Sequence, residues 1–381
     1  MATTFVSERD TIFLTLAGSH AHGTARKDSD VDLRGVAIAP LPVKFSYMQT
    51  FEQYEGPMST GLSQLIKSAS EDMHLSLASN KVEVVIFDIV KFFRLCAAAN
   101  PNALEILFAD PSAWLFDSPA WRMVFDRRYL FLSRKVCETY VGYALAQLKR
   151  IKSHRSWLLN PPSKQPTRGE FGLPELSILK ADDRNRIEEA ISDKLRRWAL
   201  EDLEMPPATR IAIRKRLEEF WMDILSIEES GEQVDLEMRQ KAALSLGLSR
   251  EVIEVLERER RFRSAQKHWQ SYQKWKAERN PMRANLESRY GYDTKHAMHL
   301  IRLMRTGLEL VRTGNLRVRR YDADELLAIR DGKMTYEQVV EEAQHLEHLM
   351  REGLDSSPLP TQIDEDSIDE LVVGTIQQFS K

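Results

Sequence analysis

Near the start of the chain, two short apolar segments enclose a polar one, and this arrangement restricts what the region can form. Residues 11–17 (TIFLTLA) and 31–39 (VDLRGVAIA) are rich in apolar and β-branched residues, which predicts two strands. Asp30 and Asp32 stand at the beginning of the second segment, two positions apart, so an extended chain turns both carboxylates to one face. Like charges on one face repel each other. The pair therefore predicts a site for a cation.

The turn that leaves the first strand supplies groups that suit a phosphate. Gly18 and Ser19 begin the polar segment GSHAHGT and offer backbone N–H groups and a hydroxyl. His22 adds a polar or cationic side chain. A phosphate cradle beside paired carboxylates suits a nucleoside triphosphate (NTP) held with Mg²⁺ or Mn²⁺, because Mg²⁺ prefers oxygen ligands and retains substrate phosphates in its shell. One metal ion would steady the departing pyrophosphate, and a second would lower the pKa of an attacking hydroxyl.

A site with two metal ions needs a third carboxylate on a neighbouring strand, and the sequence offers two. Glu83 lies inside the apolar segment 82–87 (VEVVIF), where a charged residue needs a partner. Asp88 follows directly and is well placed as the N-cap of the helix DIVKFFRLCAAA. We expect Glu83 to be the third carboxylate, with Asp88 as the alternative.

The rest of the chain divides by its periodicity. Residues 1–115 predict a small head of strands and helices, in which 41–80 form a long connection with one short helix. Residues 116–355 are almost entirely of helical period, with helices that include about 174–182, 183–200, 208–230 and 233–245. Residues 356–381 form an acidic tail.

Bulk properties limit the classes of protein to which the chain can belong. The net charge of −3 does not by itself indicate a nucleic-acid-binding protein, although basic residues are concentrated between Arg250 and Arg289. No apolar run approaches the roughly 18 residues that a membrane span needs. The N-terminus lacks the layout of a signal peptide, and Cys96 and Cys137 lie in apolar helical contexts. We expect a cytoplasmic protein without a membrane partner.

A second polar group recurs late in the chain, in the segment YGYDTKHAMHLIRLMRTG. Asp293 or Thr294 is a plausible N-cap for a helix that begins there. One face of that helix then carries polar residues at helical spacing: Lys295, His299, Arg302 and Thr306. Such a face is either solvated or lines a phosphate site, whereas His296 lies nearer the apolar side and is expected in the core.

GSHAHGT followed by DSDVDLRGV resembles the signature of DNA polymerase β-like nucleotidyltransferases, and more narrowly that of the RNA repair pathway family within them. FDIVKFFRLCAAANPNALEILF, WLLNPP and GYDTKHAMHLIRLMRTGLELVRTG resemble the narrower family as well. The resemblance implies an α+β fold with a small mixed-sheet catalytic head and a large α-helical domain. It also implies that Gly18 and Ser19 contact the triphosphate, and that Asp30, Asp32 and Glu83 bind the catalytic metals.

By the same resemblance the reaction is transfer of a nucleoside monophosphate from an NTP to an acceptor hydroxyl, with release of pyrophosphate. The implied acceptor is an RNA end, such as that of a damaged tRNA. Lys295, His299 and Arg302 would then lie near the nucleotide phosphates or the acceptor, with His22 beside them. Two alternatives remain: the same chemistry on a protein side chain or a small molecule, and a catalytically silent module that binds a nucleotide or RNA.

Overall fold

The computed structural model describes residues 5–27, 29–48, 50–73, 82–173, 189–193, 215, 250–279 and 281–379. The chain forms two compact units, one made of residues 1–159 with 281–381 and the other of residues 160–280. The helices expected at about 174–182, 183–200, 208–230 and 233–245 lie largely outside the described residues. The division at residues 115 and 355 stays a prediction, and the two units do not follow it.

Five strands form one mixed sheet in the first unit. Their bounds are β1 Thr11–Ala17, β2 Val31–Ala37, β3 Gln53–Gly56, β4 Val82–Asp88 and β5 Trp114–Asp117, and their order is β3-β4-β2-β1-β5. β2 and β4 run parallel, and the other pairs are antiparallel. The strands predicted from the three apolar segments are confirmed, and so is the α+β class with its large helical part.

The connection at 41–80 contains more structure than the single helix expected. Its regular elements are α3 Leu41–Lys44, strand β3, α4 Thr60–Leu65 and α5 Lys67–Asp72. β3 has the sequence QYEG, which carries no strand pattern of its own, and it forms by antiparallel pairing with β4 at the edge of the sheet. Tertiary pairing therefore decides this element rather than local preference.

The remaining helices of this unit follow the sheet closely along the chain or return to it from the C-terminal part. They are α1 Ser7–Asp10, α2 Gly18–His22, α6 Ile89–Ala97, α7 Pro101–Leu107, α8 Pro119–Asp126, α9 Val136–Leu159, α11 Pro281–Tyr290, α12 Thr294–Thr313, α13 Ala323–Arg330, α14 Tyr336–Glu352 and α15 Glu365–Phe379. Short 3-10 turns occur at Pro111–Ala113 and Arg128–Phe131.

Apolar cores lie on both faces of the sheet. Leu14, Leu33 and Ile86 are fully buried in the smaller core, which α4 closes with Leu62. The larger core lies on the opposite face and runs into the helices, where Trp121 and others are fully buried. Each such side chain contributes roughly 1.5–3 kcal/mol through burial. The sheet is therefore fixed from both sides, which gives its polar end a rigid support.

The second unit is described over residues 160–173, 189–193, 215 and 250–279. Its long helix is α10 Arg250–Glu278, and a 3-10 turn spans Arg168–Phe171. Arg168 joins the two by donating two hydrogen bonds to the buried carboxylate of Glu259, at 2.9 and 2.8 Å. In the part of the chain that the structure describes, every helix is too short or too polar to cross a membrane.

Candidate active site

The polar segment after β1 packs its first glycine against a carboxylate of β2. The antiparallel register sets Ala17 opposite Asp32, and α2 begins at the next residue, Gly18, with φ of +58°. A Cβ at Gly18 would stand 2.5 Å from Oδ2 of Asp32. Position 18 therefore requires glycine for two reasons: the backbone is left-handed, and the Asp32 carboxylate approaches closely.

The carboxylates lie along one face of the sheet. Parallel pairing sets Glu83 of β4 beside Asp32, and Arg34 follows two positions along β2 on the same face. Nη2 of Arg34 is 2.9 Å from Oε1 of Glu83 and 3.6 Å from Oδ1 of Asp32. Asp30 is exposed and comes one residue before β2 begins, so it lies in the loop rather than on the strand, and its charge raises the pKa of Asp32.

Asp88 lies at the opposite end of β4, paired with Ala37. It lies five positions along the strand from Glu83, which is roughly 16 Å at the usual rise. Its carboxylate accepts a hydrogen bond from the N–H of Val90 at 2.9 Å and pairs with Nζ of Lys44 at 2.8 Å. The predicted N-cap role of Asp88 is confirmed, and the register puts Glu83 rather than Asp88 next to Asp32.

Among these carboxyl groups, that of Asp32 has a raised pKa. Burial raises the pKa of its carboxyl; Arg34 and Lys295 oppose this effect, while the neighbouring charges of Glu83 and Asp30 add to it. A cation bound among these carboxylates would relieve the repulsion and favour the ionised form. Carboxylate oxygens are the ligands that Mg²⁺ and Ca²⁺ take and that suit Mn²⁺. The residues present therefore fit a divalent metal ion.

A cavity of about 1210 Å³ opens over this face of the sheet. It contains Gly18 and Asp32 together with the residues predicted from the late motif, Lys295, His299 and Arg302. Other lining side chains come from β2, β3, β4, α7 and α9; they include Arg34, Gln53, Glu55, Val85, Phe87, Asn102, Tyr143, Gln147 and Arg150. The two motifs, which lie more than 260 residues apart in the chain, thus line one space.

In the wall of the cavity, His22 and Arg302 meet at the largely buried carboxylate of Glu105. His22 Nε2 is 3.0 Å from Oε2 of Glu105, and Arg302 forms a short ion pair with the other oxygen. Burial opposes the charge of Glu105, but Arg302 and His22 outweigh it and hold the pKa of that carboxyl well below its usual range. The side chain of Arg302 is only 7% exposed, and its guanidinium is paired with the carboxylate of Glu105. In this structure both side chains support the cavity wall.

His299 is a neutral member of that wall. Burial lowers the pKa of its imidazole well below the usual value, and the charges of Arg302 and Lys295 lower it further. The neutral ring can therefore donate one hydrogen bond and accept another, but it supplies no charge. Among the three predicted residues of α12, Lys295 is the one whose charge acts on Asp32.

Several residues of this site were not predicted. Glu105 lies in the apolar segment ALEILF, so the argument used for Glu83, that a charged residue within an apolar segment needs a partner, would have identified it. Arg34 follows Asp32 at strand spacing, and that spacing was the available signal. Glu55 gave no signal, because β3 is defined only by its pairing with β4.

These features define a class of protein: a nucleotidyltransferase of the polymerase β type. Residues 4–158 match the model described as the RNA repair pathway DNA polymerase beta family, RlaP. The match covers less than half of the 381 residues, so it is a similarity of this part of the chain; it supports the assignment of the protein as a nucleotidyltransferase.

Two individual proteins are also similar. The uncharacterized 38.9 kDa protein in the nrdC-mobD intergenic region of Enterobacteria phage T4 is 24% identical over 246 residues, which cover 61% of this chain and 68% of that protein. A nucleotidyltransferase-like protein from Exiguobacterium sibiricum 255-15, solved as a crystal structure, is 13% identical over 80% of this chain and 86% of its own, with a TM-score of 0.20. At that score the second similarity adds no support.

Proposed function

We propose that this nucleotidyltransferase transfers a nucleoside monophosphate from an NTP to the hydroxyl of an RNA end, such as that of a damaged tRNA, with Mg²⁺ or Mn²⁺ as its metal. The observation that carries the proposal is the Asp32 carboxylate packed against Gly18, with Glu83 beside it on the same face of the sheet. The family matched by residues 4–158 supports the RNA repair context.

The triphosphate would lie across the start of α2. The N-cap residue of that helix, Ala17, makes no side-chain capping bond, so the first N–H groups are directed toward a ligand or solvent. The backbone N–H groups of Gly18 and Ser19 would donate hydrogen bonds to phosphate oxygens. The Ser19 hydroxyl would donate a further one. Lys295 would neutralise part of the negative charge, because it already acts electrostatically on Asp32.

Asp30, Asp32 and Glu83 would hold the metal, and Arg34 fixes the positions of Asp32 and Glu83 through its two contacts. When bound, a divalent ion lowers the pKa of an acceptor hydroxyl and offsets the charge that develops on the leaving pyrophosphate. Glu83, exposed to solvent, would accept the proton of that hydroxyl. The acceptor oxygen forms its bond to the α-phosphorus as the bond from that phosphorus to the bridging oxygen breaks, and this oxygen leaves with the pyrophosphate.

An RNA acceptor is favoured over a small molecule by the charge around the cavity. Lys91, Arg150 and Lys295 line it, on three different helices. Cations spread over a cavity of this size suit a polyanion better than a compact neutral metabolite. Lys91 also pairs with the exposed carboxylate of Glu52 at 2.9 Å.

The proposal is tested by label transfer. The full chain is incubated with each α-labelled NTP, Mg²⁺ or Mn²⁺, and an RNA pool that includes end-damaged tRNA. The control is the Asp30→Ala/Asp32→Ala variant, checked for its fold by circular dichroism. Label in RNA with the unmodified protein alone is the expected result. Label on protein or on a small molecule would assign a different acceptor, and NTP binding without transfer in both proteins would refute the enzymatic proposal.

A further inference from the structure

A second cluster of ligand-type side chains lies in the same unit, where α9 ends and α12 begins. His154 of α9 and His296 of α12 flank Asp293, the N-cap residue of α12. One ring nitrogen from each histidine and one carboxylate oxygen lie within 4.8 Å of one another. The side chain of Asp293 is 1% exposed and those of both histidines are 15% exposed, so solvent reaches the cluster poorly.

The hydrogen bonds fix the direction in which His296 presents its lone pair. Nδ1 of His296 is 2.9 Å from Oε1 of Gln147, and an amide oxygen can only accept, so Nδ1 carries the proton. In the neutral ring, Nε2 then presents its lone pair toward Oδ2 of Asp293, 3.7 Å away. Two electron-rich atoms facing each other need a cation between them, which is either an added proton on the ring or a metal ion.

The two carboxylate oxygens of Asp293 have different partners. Oδ1 of Asp293 accepts the backbone N–H of His296 at 3.0 Å and caps the helix. Oδ2 faces Nδ1 of His154 at 3.2 Å as well as Nε2 of His296. The separations from Oδ2, 3.2 and 3.7 Å, are close to the ~3.4 Å between ligand atoms in a tetrahedral site with bonds of about 2.0–2.1 Å.

We propose that His154, Asp293 and His296 bind one divalent transition-metal ion of the zinc class, which joins the end of α9 to the start of α12. Two imidazole nitrogens and one carboxylate suit zinc rather than Mg²⁺, which prefers oxygen ligands throughout. Gln147 holds His296 in the required tautomer, as outer-sphere hydrogen bonds do at metal sites. Binding displaces the proton shared by His154 and Asp293. The fourth position is left to water or to a ligand from the cavity that His296 lines.

The test measures metal content and coordination, and it does not depend on transfer activity. The carboxylates of the nucleotidyltransferase site can also take up metal, so every protein carries Asp30→Ala and Asp32→Asn. Metal-free full chain is titrated with Zn²⁺ and, separately, with Co²⁺, and the retained ion is counted after desalting. His345→Ala, which removes an exposed histidine of α14, is the matched control.

The background protein and the His345→Ala control should each retain one equivalent of Zn²⁺, with light-atom ligands at about 2.0–2.2 Å by X-ray absorption. His154→Ala and His296→Ala should lose it. Asp293→Asn keeps an N-cap side chain and so preserves the helix start, but it should weaken binding at least tenfold. Gln147→Ala should weaken it about 10–100-fold. No retained Zn²⁺ in the background protein, or equal Zn²⁺ in the His154→Ala and His296→Ala proteins, would overturn the proposal and leave a proton as the bridging cation.

Discussion

Replacing Gly18 with alanine tests how the catalytic face is built. The new Cβ would lie 2.5 Å from Oδ2 of Asp32, whereas ordinary contacts begin at 3.4 Å, so the carboxylate must move by roughly 0.9 Å. A misplacement of about 1 Å at a reacting centre can lower turnover on the order of 100-fold. The left-handed backbone at φ +58° adds a cost of about 1–2 kcal/mol in stability.

The assay compares turnover of labelled NTP with the free energy of unfolding in urea, on the same preparations. Gly374→Ala is the matched control: it lies within α15, a Cβ there meets nothing within 4 Å, and alanine should stabilise that helix by about 0.5–1 kcal/mol. Turnover of the Gly18→Ala protein within a factor of two of the unmodified protein would refute the close packing of Gly18 on Asp32.

Four further substitutions test the charged residues of the site and of strand β4. Asp32→Asn should abolish transfer but leave the melting temperature equal or higher in calorimetry, because burial raises the pKa of Asp32 and its ionised form therefore costs stability at neutral pH. A lower melting temperature would contradict this. Glu105→Gln should destabilise by about 3–5 kcal/mol at neutral pH, because it leaves Arg302 buried without its carboxylate. The pKa of Glu105 is depressed in the fold, so its contribution is complete above the ordinary value of 4.5 and fades as pH falls below it. In urea unfolding, the difference in free energy of unfolding between the unmodified and the Glu105→Gln proteins should therefore become smaller toward about pH 3. A difference that stays constant with pH would contradict this reasoning. Glu83→Gln should lower turnover about 100-fold with little change in stability. Asp88→Ala should lose about 1 kcal/mol with its N-cap and keep its turnover; the reverse pattern would make Asp88 the third carboxylate.

Local sequence was sufficient for the elements whose signal is local. β1, β2 and β4 are mainly apolar and β-branched segments, and each was predicted within two residues of its observed ends. The N-cap Asp88 was likewise predicted from residue type and position, and Asp293 was one of two candidates with Thr294; the side chains of Asp88 and Asp293 each accept an N–H of their helix. β3 and β5 have four residues each and exist because β4 and β1 offer them a partner edge. No pattern within such short segments predicts that pairing.

The supporting wall of the site shows why long-range pairing escapes prediction. The polar face of α12 was expected to be either solvated or directed at phosphate, but Arg302 is instead buried against Glu105, 197 residues away in sequence. Spacing within one helix identifies which residues share a face and not which charge they meet. The resemblance to a known family predicted that the motif near Gly18 and the motif near Lys295 belong to one site. Residues of both motifs line the same cavity.

We propose that the carboxylates on the sheet direct an NTP toward nucleotidyl transfer. The most direct measurement uses one NTP labelled either at the α- or at the γ-phosphate, with the RNA acceptor and with Asp32→Asn as control. We expect α-label in the RNA, γ-label in pyrophosphate, and neither product with the Asp32→Asn protein. Label from the γ-phosphate in the RNA, or undiminished transfer by the Asp32→Asn protein, would contradict it.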